Sequence, residues 1–77
     1  MTEDEAHLRH LEEFAEAAYD KMYDAGSPSG ANAFYSDAKE AFADAIGLAR
    51  RLGRNEDVTR LEKRLAHIKA VFRSQFT

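Results

Sequence analysis

The chain has 77 residues, 44% of them apolar and 32% charged, with one proline, no cysteine and a formal net charge of −3. A chain this short forms a single domain with a modest core, so it depends on regular, well-packed elements. The lack of cysteine excludes a disulfide framework and any thiolate metal site, and leaves helix packing as the source of stability.

The N-terminus reads Met1-Thr2-Glu3-Asp4-Glu5, acidic where a secretory leader would be basic, and no apolar run follows it. No stretch has the length of apolar sequence that a bilayer span needs. A soluble cytoplasmic protein without membrane contact is therefore expected. The Thr2 hydroxyl and Glu5 carboxylate have the spacing of a capping box, and the three acids suit the positive end of a helix dipole. Leu8, Leu11, Ala15, Ala18, Met22 and Ala25 then recur at steps of three and four, which predicts a first helix over 3–25. Phe14 and Tyr19 flank that stripe as core rim, while Tyr23 and Phe76 are suited to covering the bundle ends. Gly26-Ser27-Pro28-Ser29-Gly30 reads as a break.

A second helix is expected over 31–52, with Ala38, Ala41, Ala45, Leu48 and Leu52 as its stripe. Gly53 suits a left-handed C-terminal cap, and Arg50 and Arg51 suit the negative end of the dipole. Asn55 offers an N-cap for a third helix over 56–75, whose stripe is Val58, Leu61, Leu65, Ile68 and Phe72. Nothing alternates with the period of a strand. The pattern predicts an all-α, antiparallel up-down-up three-helix bundle spanning 1–77, with the first and third helices parallel neighbours.

Charge is unevenly distributed along the chain. Residues 1–25 carry eight acids and two bases, residues 26–53 balance, and residues 54–77 carry three acids and six bases. Such asymmetry suits attraction between the first and third helices inside the bundle, or a charged binding face. On helical spacing Arg60, Lys63, Arg64 and His67 gather opposite the third stripe with Val71 among them. That grouping suggests an acidic peptide as a ligand, and to a lesser degree phosphates. The overall acidity and the lack of exposed aromatics on that face weigh against nucleic acid.

The second helix has more apolar surface than one stripe needs. Phe42 and Ala49 fit the wide arc of a helix that touches two partners. Ile46 points elsewhere, and the adjacent Gly47 costs about 1 kcal/mol relative to alanine in a helix interior. That glycine is either exposed and tolerated or admits a second backbone. Ala38-x-x-x-Phe42-x-x-Ala45-Ile46 resembles the second helix of a tetratricopeptide repeat. With Tyr35 added, the twelve-residue pattern is similar to the second helix of microtubule-interacting and trafficking domains. Both families are interaction scaffolds, and the resemblance implies a groove between helices that takes a helical or extended peptide. No second copy occurs at the repeat period, so an array is not implied.

No catalytic constellation is evident. The serines lie in a loop, near helix starts or near the C-terminus, and Gly26-x-x-x-Gly30 lacks the features of a phosphate loop. His7 and His10 stand among acids at successive steps of three, but such steps drift around a helix and do not converge on one ion. Neither enzymatic activity nor a cofactor is expected. The reading that follows is a small protein-interaction module. It docks an unidentified protein or peptide beside the second helix through Tyr35, Phe42 and Ile46, with Arg60, Arg64 and Val71 adding complementarity. Homodimerisation through the same surplus is the principal alternative, and weak nucleic-acid binding by the third helix ranks behind it.

Overall fold

The structure, a computed structural model, describes residues 3–75 and forms three helices: α1 over Glu3–Asp24, α2 over Pro28–Arg51 and α3 over Asn55–Gln75. No strand occurs among the described residues. The three-helix bundle expected from periodicity is therefore observed. Thr2 and Phe76, and the roles expected of them, lie outside the described residues.

The break between α1 and α2 is shorter than the glycines and proline suggest. Ser27 has extended backbone and acts as the N-cap of α2, its Oγ accepting from the Gly30 N–H at 3.2 Å. Pro28 follows in the first turn, where its missing N–H has no helical partner to lose and its fixed φ suits the helix. Pro28-Ser29-Gly30 thus begins the helix rather than preceding it, and only Ala25, Gly26 and Ser27 connect α1 to α2.

The other connection follows the expected geometry. Gly53 has φ of +71°, its N–H donates to the Arg50 carbonyl at 3.1 Å, and the Arg54 N–H donates to the Ala49 carbonyl at 2.9 Å. These two bonds form a Schellman cap and satisfy carbonyls that the helix end would otherwise orphan. The cap brings the chain round so tightly that the Arg54 carbonyl already accepts from the Val58 N–H at 3.0 Å. Arg54 is therefore the residue that opens α3, and Asn55 lies inside its first turn instead of capping it.

The core is built around α2. Its buried alanines (Ala38, Ala41, Ala45 and Ala49) let the neighbouring helices come near, and Phe42, Met22, Leu61 and Ile68 fill the space between. α1 packs along α2 most closely and α3 less so, while the α1 and α3 backbones scarcely approach each other. Tyr19 is the one buried core side chain among the described residues with a polar atom, its hydroxyl bonded to that of Tyr23, and the rest of the core is held by apolar contact.

This arrangement accounts for the surplus on α2. Tyr35 stacks on Phe72 of α3 with ring centroids 3.8 Å apart, and Arg50 pairs with Glu62 of α3 at 2.9 Å. Phe42 and Ile46 lie on the same side of α2, between those two contacts. Both are buried, Phe42 completely and Ile46 to 8% exposure. They pack on the side of α2 that carries its contacts to α3, and neither side chain lines an open groove in this structure. A middle helix flanked on two sides buries an arc wider than one stripe, and periodicity alone does not give that width.

Candidate docking groove

The α1–α3 seam is closed by charge. The Arg64 guanidinium donates to both carboxylate oxygens of Glu16, Nε to Oε2 at 2.9 Å and Nη2 to Oε1 at 2.7 Å. Arg60 makes a second fork to Glu12, with Nη2 to Oε1 at 3.0 Å and Nη1 to Oε2, and also reaches Asp57 at 3.1 Å. Arg54 donates to Asp57 at 2.6 Å and to Glu5 at 3.4 Å. The pairs that cross from α3 to α1 join positions 48 or 49 apart, so the two helices run parallel and in register. Planar guanidinium and carboxylate groups match in this forked geometry, and their long side chains bridge helices whose backbones stay apart.

The pKa shifts follow from these contacts. Hydrogen bonds from Arg54 and then Arg60 hold the Asp57 carboxyl below its usual range. Bonds to Glu12 and Glu16 raise the Arg60 and Arg64 guanidinium values further. Arg64 also lies over the Tyr19 ring at 4.9 Å, and burial together with a 2.8 Å hydrogen bond to Tyr23 pushes the Tyr19 phenol up to about 12.

Arg60 and Arg64 thus occupy the flank of α3 that faces α1 and are not opposite the core. Both are engaged by acids of the same chain, as the attraction between acidic and basic helices anticipates. Val71 is half-buried against the core. Tyr35 is half-buried between Phe72 and Lys39, whose ammonium sits 4.5 Å above the ring. The six residues expected to form one partner surface are divided between the α2–α3 and α1–α3 seams.

The opposite flank of the bundle is different. Phe14, expected at the core rim, is 58% exposed. It lies one position before the buried Ala15, about 100° further round α1, on the side away from α3, where no third helix covers it. Beside it runs an open groove between α1 and α2. One end is lined by Leu11, Phe14, Ala41 and three carboxylates, Asp37, Glu40 and Asp44. The other end is lined by Leu11, Leu48, Gly47, Ala43, His7 and Arg51, with Asp44 shared between the two ends. Asp37, Glu40 and Asp44 form no ion pair among the described residues.

Gly47 is exposed on this flank, and a Cβ built there would meet nothing within 4 Å. The glycine is therefore open and is not demanded by packing within the chain. His7, His10 and His67 are exposed as well, and no group of three metal-ligating side chains occurs among the described residues. No described helix is long and apolar enough to cross a membrane.

Comparison with protein families, curated proteins and solved structures gives no match. The groove is thus argued from its own geometry. The sequence signal for it was the pairing of Phe14, off the α1 stripe, with acids at steps of three and four on α2. Both were visible, but only the position of α3 decides which flank of α1 stays uncovered.

Proposed function

We propose that the protein is a small non-catalytic interaction module that docks a helical peptide segment in the groove between α1 and α2. The observation that carries this reading is Phe14, a large aromatic side chain left 58% exposed in an open furrow with Leu11 and Ala41. Every phenylalanine of the described residues other than Phe14 is buried or half-buried. A solvent-facing aromatic next to a groove has the character of an interface anchor, because its burial on binding removes much apolar area from water. The furrow floor is low where Ala43 and Gly47 line α2, which gives room for a close neighbour.

The proposal keeps the docking surface beside α2 but moves it to the flank away from α3. Self-association and nucleic-acid binding have less support. Of the four basic residues that suggested phosphate contacts, Arg60 and Arg64 are directed at Glu12 and Glu16, and Lys63 and His67 stay exposed. Selection of helical peptides from a displayed library tests the reading. Selected peptides should shift amide resonances of residues lining the groove and lose binding in a Phe14→Ser variant that stays folded. Peptides that bind with no dependence on Phe14 would overturn it.

A further inference from the structure

We infer that the occupant of the α1–α2 groove is a basic amphipathic helix from a different protein, an inference that rests on the docking reading above. The fold matches its acids on one flank of α1 and leaves those on the other unmatched. On the α1–α3 seam Glu5, Glu12 and Glu16 each meet an arginine. On the groove side Asp37, Glu40 and Asp44 of α2 line the pocket that holds Phe14 and form no ion pair among the described residues. Three carboxylates along one wall beside an exposed aromatic define a site that is apolar at Phe14 and negative along α2. A helix with an apolar stripe flanked by lysines or arginines is complementary to both features.

The alternatives fail on the same charges. A second copy seated with its Phe14 pocket directly on this one brings its own three carboxylates to the same place, and like charges oppose that pairing at neutral pH. A nucleic acid meets these carboxylates with its phosphates. An acidic peptide is repelled wherever it reaches Phe14. The groove also has polarity, since Arg51 and His7 lie at the end away from Asp37. From Asp37 to Arg51 the α2 axis rises about 21 Å, so a helix of roughly 14 residues covers the groove. Its basic residues belong toward the Asp37 end, and its smallest contacts belong over Gly47.

The test uses two synthetic helical peptides of roughly 14 residues. They share one leucine stripe and differ only in having lysine or glutamate on both flanks. Amide-resonance titration of the full chain with the lysine peptide should shift residues around Leu11, Phe14, Asp37–Asp44 and Gly47. Binding should weaken as salt rises. Phe14→Ser should abolish it, and the combined variant Asp37→Asn, Glu40→Gln, Asp44→Asn should weaken it about tenfold. Circular dichroism and thermal melts confirm that both variants remain folded. Equal binding of the glutamate peptide with the same Phe14 dependence would overturn the basic-partner inference and leave the groove as a docking site. Absence of groove shifts with either peptide would overturn both. Shifts confined to α3 or to the α1–α3 seam would also contradict the inference.

Discussion

Each flank of α1 is lined by three or more acids, from α1 itself and Asp57 of α3 on the α3 side and from α2 on the other, and the two end in opposite states. On the α3 side, Glu12 and Glu16 meet Arg60 and Arg64 in forked pairs, and Tyr19 is buried beneath one of those guanidiniums. On the other side, Phe14 faces water beside Asp37, Glu40 and Asp44 of α2, which form no ion pair among the described residues. The first flank has its charges matched within the chain. The second has a comparable set unmatched. An acid-rich helix is therefore no guide to function by itself; what matters is whether the fold supplies the partner.

The sharpest way to break this contrast is to truncate two phenylalanines of the same chain. Phe42→Ala empties the centre of the core and should destabilise by about 3–5 kcal/mol, enough to unfold a domain of this size. Phe14→Ser should change stability by less than about 0.5 kcal/mol, since the side chain is already solvated. Chemical denaturation of both variants checks the pair. A loss of several kcal/mol at Phe14 would mean that it is packed and that the groove does not exist as described.

Two glycines extend the comparison to the backbone. Gly53→Ala forces a Cβ into the left-handed region and should cost about 1–2 kcal/mol. Gly47→Ala should stabilise by about 0.5–1 kcal/mol, because the position is helical, exposed and free of neighbours. If Gly47→Ala is neutral for folding but weakens docking, the open floor of the groove matters for the partner.

Much of the fold was legible. Period-three-and-four stripes located all three helices, and Gly53 marked its cap. The start of α2 was missed because Pro28 and Gly30 read as breakers, whereas a serine N-cap followed by proline is a helix start. The site was less legible. The wide arc of a helix with two partners already covered Phe42, whereas Ile46 looked surplus because periodicity does not give the width of the buried arc, and in the structure it is buried as well. Arg60 and Arg64 were correctly grouped with each other, but a helical wheel does not show that their side chains reach across to α1. Phe14 was visible as an aromatic off the stripe; whether a neighbour covers it depends on which side α3 takes, and a sequence period contains no handedness.

The seam itself is expected to contribute modestly. A double-mutant cycle of Arg64→Gln and Glu16→Gln should give a coupling of about 0.5–1 kcal/mol, because the pair is forked but partly solvated and screened by salt. Asp57 supplies the smallest effect. Its folded-state pKa lies below the ordinary carboxylate value of about 3.9, owing first to Arg54 and then to Arg60. Its contribution is therefore complete above about pH 4 and is lost as pH falls through the lowered value. Asp57→Asn should flatten that part of the acid limb in a pH series of denaturation curves and leave neutral stability slightly reduced.

The most direct measurement uses the absence of tryptophan from the chain. Phe14→Trp places a single fluorescent reporter at the centre of the groove. The account predicts a solvent-exposed emission spectrum that does not change with protein concentration at neutral pH, and a saturable blue shift on adding the lysine-flanked helical peptide. A reporter already buried in the free protein, or one that becomes buried only as the protein is concentrated, would contradict it.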